Sequence, residues 1–323
     1  MRALRSGPRM LLGFHSILYR PSSQNRTAVV TISTAHQRHF SASGVESKYI
    51  REKPRWNRRR RYQWVSPPLP DSDDVCRVLE SYMLDPDPRK RTPDILNPHN
   101  PEYDPEYQAP PSPDKDSPDD PHPRKRYRAL AINCHRVAMS NNEEGLLNIA
   151  VIDFFTGDLV LNSLVRPSDP VTNWRRHVTG YNRPMLNEQI KRGKVLSGWK
   201  QVREKIFNVT ACETIFIGHG LVDDLPALRI ATDRVIDSNT IMCRAVFGDA
   251  KTSPYHWDLK TACRELLDVA VYKTRARRDP LQGALATREL VLQYVLNPEI
   301  LDEWAARTRG PARIEEKDQA NEE

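Results

Sequence analysis

The chain has 323 residues, room for one or two domains. Its hydrophobic share of 38% and its 26 prolines fall outside a uniformly packed composition, for which roughly 45–50% apolar residues are usual; one compact domain with a good deal of unfolded sequence is expected. The five cysteines, Cys76, Cys134, Cys212, Cys243 and Cys263, form no C-x-x-C pair, so neither a zinc ribbon nor a disulfide framework is supported.

The formal net charge of +7 points to nucleic acid, yet its distribution qualifies that. Residues 1–41 hold Arg2, Arg5, Arg9, Arg20, Arg26 and Arg38 and no Lys, Asp or Glu. Taking those six charges from +7 leaves about +1 for everything else, so only local basic patches argue for an anionic partner. An Arg-rich, Ser/Thr-containing, acid-free leader is the composition of a mitochondrial transit peptide, and the apolar face of its helix would come from Leu11, Leu12, Phe14, Ile17 and Leu18. Arg38-His39-Phe40-Ser41 resembles a matrix-peptidase cleavage pattern. A secretory signal needs an unbroken apolar core of about 7–15 residues, which Arg, Gly and His interrupt here. The expectation is a mitochondrial matrix protein. No stretch approaches the ~20 apolar residues of a membrane span, so no membrane partner is expected.

Residues 42–65 form a basic arm in which Trp56, Tyr62 and Trp64 are interleaved with arginine. Arginine pairs with phosphate and aromatic rings stack on bases, so such an arm could grip RNA; a solvated charge run is an equal alternative. Residues 66–124 are rich in Pro, Asp, Ser and Asn and read as a disordered linker, too poor in apolar surface to offset chain entropy. Within it, Ser72–Leu84 has helical apolar spacing (Val75, Val78, Leu79, Tyr82, Met83) and Pro86 as a stop, which predicts a short docking helix.

Composition changes at residue 125, and 125–297 reads as the folded domain, followed by a charged tail over 298–323. Strands are predicted at Tyr127–Asn133, Leu146–Phe154 and Leu159–Val165, the last two joined by the Thr156-Gly157-Asp158 turn. A helical stretch with a break at Gly193 covers Glu188–Asn208. A strand at Thr214–Ile217, a helix entered through Gly218-His219-Gly220, and a strand at Arg234–Ile236 come next. Helices at Asp258–Leu267 and Leu281–Leu296 close the domain. Three meandering strands, then alternating helices and strands, give an α/β domain with a mixed central sheet flanked by helices.

Four ordered segments carry a family resemblance. Ala131-Ile132-Asn133-Cys134-His135-Arg136-Val137 is similar to a first strand reading A-L-D-C-E-M-V. Val165-Arg166-Pro167, Pro170-Val171-Thr172-Asn173-Trp174-Arg175 and Thr179-Gly180-Tyr181 follow a VKPxxPVTDYRTRxSGI pattern. Gly218, His219, Leu221, Asp224, Leu225 and Leu228 fit G-H-x-L-x-x-D-L-x-x-L, and Asp258–Leu267 looks like SLKxLAxELLG. Together they resemble the DEDDh-type 3′–5′ RNA exonucleases of the ribosomal-RNA-trimming and antiviral branch. The resemblance implies an RNase H-like exonuclease fold, RNA as partner, and magnesium or manganese held between four carboxylates, with a histidine taking the proton of the attacking water.

On this sequence the family's D-x-E pair falls on Asn133 and His135. The second-motif acid falls on Asp224, which is thereby the one inherited catalytic and metal-ligand position. The closing H-x-x-x-x-D falls on Arg278 and Gly283; a slip of register does not restore it, since no histidine follows His256. Asp279 before Pro280 fits a helix N-cap better than a metal ligand. Asp153, Glu143 and Glu144 do not reproduce D-x-E spacing. Asn lacks the charge and His offers nitrogen, both poor exchanges for a hard cation. The expected protein is therefore a catalytically impaired exonuclease domain that binds RNA or acts as a scaffold, with Arg275, Arg277 and Arg278 as candidate phosphate contacts. A weakly active metal-dependent exonuclease and a protein-interaction module of a mitochondrial assembly are the alternatives.

Overall fold

A computed structural model describes residues 29–30, 49–50, 73–84, 106–112, 126–248, 256–272 and 278–309. Apart from a two-residue pairing of Val29–Val30 with Tyr49–Ile50, the expected transit peptide and basic arm lie outside the described residues, as do Arg275 and Arg277.

The centre of the fold is β1 (Ala129–Met139), a strand long enough to carry two different jobs. Its first half alternates strictly. Ala129 and Ala131 enter one core layer and Leu130 and Ile132 the other, because successive strand residues point to opposite faces. β2 (Glu144–Asp153) and β3 (Leu159–Val165) continue it as antiparallel neighbours. β4 (Val171–Asn173) pairs antiparallel with the far end of β1. β5 (Val195–Leu196) runs parallel to β3, and β6 (Ile215–Gly218) and β7 (Val235–Asp237) extend the other edge in parallel. The sheet order is β5-β3-β2-β1-β6-β7.

Between these strands lie α2 (Arg176–Thr179), α3 (Arg183–Lys191), α4 (Trp199–Phe207) and α5 (Leu221–Leu228), and after the last of them come α6 (Ser238–Phe247), α7 (Leu259–Leu267) and α8 (Pro280–Leu296). The single broken helix expected over 188–208 is instead α3, β5 and α4. The Asn182 side chain accepts from the Met185 N–H at 3.0 Å and starts α3 early, and Gly193 adopts φ 68° to end it. α4 and α5 cover one sheet face through Val202, Ile206, Leu225 and Leu228. α8 covers the other and is buried nearly all round, with Ala284, Ala286, Leu290, Val291 and Val295 almost inaccessible. Asp279 caps α8 by accepting from the Leu281 N–H at 3.1 Å.

Three pieces expected outside the domain belong to its packing. The first is α1 (Asp73–Ser81). Val75 and Leu79 are fully buried in the α8-side core, and each such side chain contributes about 1.5–3 kcal/mol. Asp73 and Asp74 favour the helix N-terminus electrostatically. The Tyr82 hydroxyl donates to the Tyr294 carbonyl at 2.8 Å, and the Leu84 N–H to the Val235 carbonyl at 2.8 Å. The predicted docking helix thus docks on its own domain. The second piece is 106–112, within the expected linker, where Gln108 exchanges backbone hydrogen bonds with Arg229 and Ala231. The third is α9 (Glu299–Arg309), inside the expected tail. Its apolar residues Leu301, Trp304 and Ala305 are buried, and the Trp304 indole donates to Glu265 at 2.9 Å. Its charged residues masked a helix with one apolar stripe.

Candidate functional site

At the far half of β1 the alternation that built the core opens a cleft. Asn133 and His135 follow Ala131 on the α8 side, sharing a face as expected from the period of two. A bulge between His135 and Arg136 then re-aims the strand, a usual position for such irregularities. The cleft encloses about 250 Å³ and is lined by Asn133, His135 and Arg136 from β1, Asp223 and Asp224 from α5, and Arg278, among others. The structure thus brings Asn133, His135, Asp224 and Arg278 to one place. Gly283 lies directly beneath, since a Cβ added there would lie 2.5 Å from both Asn133 Oδ1 and the Tyr272 hydroxyl oxygen.

Asp224, on the inner face of α5, is 6% exposed. Burial raises its carboxyl from 3.8 to about 7, with Arg136 and the Cys134 backbone N–H acting against that shift and Asp223 and Asp237 adding to it. Arg136 Nε lies 2.9 Å from Asp224 Oδ1. Asp224 therefore has a built-in cation. Arg136 stands where the resembling motif has an apolar residue, and an arginine beside two other exchanged positions was the signal that could have singled it out.

The other side of the cleft is formed by Tyr272 and Arg278. Tyr272 sits at φ 52°, with its N–H donating to Gln282 Oε1 at 3.2 Å. Its ring is carried under Arg278, whose guanidinium is 5.3 Å from the ring centroid. Burial pushes the Tyr272 phenol well up, so it stays a neutral hydroxyl. The Arg278 N–H donates to the Val178 carbonyl at 3.0 Å, tying this loop to α2. Asn133 Oδ1 is buried without a hydrogen-bond partner.

The remaining polar groups around the cleft have structural duties. His219 is hydrogen-bonded through Nδ1 to the Ser238 hydroxyl at 2.8 Å and through Nε2 to the Trp257 carbonyl at 2.6 Å; burial lowers its pKa. The buried Asp237 accepts from the Gly220 and Val222 N–H groups at 3.0 and 3.2 Å and also caps α6. Gly220 is left-handed at φ 73°, and a Cβ there would approach the His256 ring to 3.3 Å. Asp258 caps α7; burial acts to raise its pKa, but bonds from Thr261 and the charge of Arg278 hold it below its ordinary value. Arg175 makes a bidentate pair with Glu144, Glu143 pairs with Arg229 at 2.7 Å, and Asp153 closes its hairpin turn through Phe155 and Thr156.

A divalent metal would need several oxygen donors at one point. Among the described residues no group of three His, Cys, Asp or Glu side chains is placed to hold one. Asp224 faces Arg136, and Gly283 offers no donor. The described residues therefore do not fit the magnesium or manganese that the resemblance implies.

Antiparallel β1-β2-β3 followed by parallel β6 and β7, with helices on both faces, is the RNase H-like exonuclease arrangement. No family model matches the chain. Over 173 residues it is 26% identical to RNA exonuclease 3 of Candida albicans and, over 173 residues, 29% identical to small RNA degrading nuclease 3 of Arabidopsis thaliana. Each match covers 53% of this chain, but 39% and 20% of those relatives. A match to RNA exonuclease 4 of Saccharomyces cerevisiae is 25% identical over 147 residues, 44% of this chain and 46% of the relative. The chain thus spans less than half the length of each of these relatives. Among solved structures, the Saccharomyces cerevisiae Pan2 pseudoubiquitin hydrolase–RNA exonuclease module in complex with AAGGAA RNA is 15% identical. Its TM-score is 0.46, over 62% of this chain and 33% of that one. The curated relatives, named as RNA exonucleases and a small RNA degrading nuclease, support the resemblance to the DEDDh-type 3′–5′ exonucleases.

Proposed function

We propose that this chain is a mitochondrial protein that uses an exonuclease-family domain to bind RNA with little or no cleavage. The observation that supports this best is the Arg136–Asp224 pair, which sets a fixed guanidinium against the one acid retained from the family motif. A two-metal displacement needs clustered carboxylates to offset the repulsion between the cations. Asn133, His135 and Gly283 supply none. Fewer acids in the cleft favour a polyanion over a metal. RNA is the partner to test because the curated relatives are named as RNA exonucleases and a small-RNA-degrading nuclease.

The decisive experiment incubates the full chain with end-labelled single-stranded RNA in magnesium, manganese or EDTA. Retention of RNA in all three without shortening is the expected result. Stepwise 3′ shortening that Asp224→Ala abolishes would replace this reading with a slow metal-dependent exonuclease. For the location, the chain is expected to enter isolated, energised mitochondria and to lose its leader; import unaffected by removing residues 1–41 would overturn that part. The protein-interaction alternative loses one element, because α1 directs Val75 and Leu79 into its own core.

A further inference from the structure

The cleft contains two guanidinia whose side chains are oriented by the fold. Arg136 follows the β1 bulge, has Nε on Asp224 at 2.9 Å, and has Nη2 4.0 Å from Asp223 Oδ2. Its side chain is 23% exposed and lines the cavity. Arg278 enters from the loop before α8, stacked on Tyr272. Neither arrangement is a generic surface charge. Asp224 is buried and anchors Nε of Arg136, and the Arg136 side chain also lines the open cleft. Tyr272 is fixed by its left-handed backbone and by the space that Gly283 leaves for its hydroxyl. The carboxylates in the cleft are engaged or peripheral: Asp224 on Arg136, Asp258 on the start of α7, and Asp223 exposed.

We propose that this cleft is a metal-independent phosphate site, in which Arg136, positioned by Asp224, and Arg278, positioned by Tyr272, together bind the oxygens of one phosphate group. The proposal rests on the RNA-binding reading for its natural ligand, but the site itself is defined by phosphate chemistry. A guanidinium presents parallel N–H donors that match two phosphate oxygens and keeps its charge at every physiological pH. A cation that is part of the chain is not removed by a chelator. The disagreement between the family's metal requirement and this donor set is thereby resolved as an exchange of a bound ion for a side chain. The phosphate could be an internal phosphodiester of a strand or a terminal monoester; both present the same oxygens.

The test uses the full chain in EDTA with two probes, inorganic phosphate and a labelled single-stranded oligoribonucleotide carrying either a 3′-hydroxyl or a 3′-phosphate. Phosphate is expected to raise the Tm of the parent and not that of R136Q/R278Q. RNA affinity is expected to fall on the order of tenfold or more in that variant, as for the loss of charged hydrogen bonds. Because R136Q leaves Asp224 buried without its partner, R136M/D224L with R278Q serves as a second variant that removes the pair together. Preferential binding of the 3′-phosphate strand assigns the monoester; equal binding of both assigns the phosphodiester. The site is overturned if phosphate shifts parent and both variants equally or none of them, or if the variants bind RNA as tightly as the parent. A phosphate shift confined to the parent, with no RNA binding by any chain, would sink the RNA reading and leave the phosphate site standing.

Discussion

Two regions of this molecule each enclose an arginine beside a carboxylate, and they differ in what surrounds the guanidinium. Below the β2–β3 hairpin turn, Arg288 of α8 is completely buried. It donates to the carbonyls of Phe154 and Phe155 and to Glu289, and it lies 5.8 Å from the Phe154 ring centroid. In the cleft, Arg136 has Asp224 on one side and the cavity on the other. A charge whose donors all end on protein groups is a fastening. One whose donors end partly on an open cavity is available to a ligand. Burial alone does not separate the two cases; the direction of the remaining donors does.

The most damaging way to probe this contrast is Arg288→Met, which removes a buried charge and its donors to Glu289 and to two core carbonyls. A loss of about 3–5 kcal/mol is expected, read from the urea midpoint, while the molecules that remain folded keep their affinity for phosphate. An equal loss of phosphate binding would erase the distinction between the two regions. Next in size is Gly283→Ala. The new Cβ would meet Asn133 Oδ1 and the Tyr272 hydroxyl at 2.5 Å, and overpacking of this kind costs about 1–3 kcal/mol. In an Asn133→Ala background part of that loss should be recovered in the same denaturation assay.

A pH series sharpens the cleft side. Asp224 has a folded pKa of about 7, above its ordinary 3.8, so the folded state binds its proton more tightly than the unfolded state does. This group is least costly below about pH 4, and its cost grows with rising pH until it is complete above about pH 7. Asp224→Asn removes that dependence, so its stability relative to the parent should climb between pH 5 and pH 8. A constant difference across that range would contradict the burial of Asp224. The smallest effect is expected from Tyr82→Phe, which removes the bond to the Tyr294 carbonyl for about 1 kcal/mol. Thermal melting would register it without any change in ligand binding.

How much of this was legible beforehand depended on range. The strands β2 and β3 and the placing of Asn133 and His135 on one face follow from a period of two and need no tertiary knowledge. The helical spacing of α1 was equally local, but its destination was not: Val75 and Leu79 acquire meaning only against a helix two hundred residues on. The Arg136–Asp224 contact depends on a bulge that displaces one residue, and on a helix entered through a left-handed Gly220. No pattern along the chain records such a meeting. Tyr272 was missed because a tyrosine at positive φ carries no signal of its own. α6 was missed although Asp237 before Ser238-Asn239-Thr240 offered a capping sequence; its apolar residues are spread so widely that no single stripe stands out. α9 was lost under its charges, with Trp304 as the clue that the segment had a buried side.

The docking of α1 also bears on the order in which the fold can be completed. A ribosome releases residues 73–84 long before Tyr294 exists, and the two partners of that hydrogen bond lie 212 positions apart. The earliest described helix to emerge is therefore among the last to find its seat, because the α8 part of that seat is made some two hundred residues later.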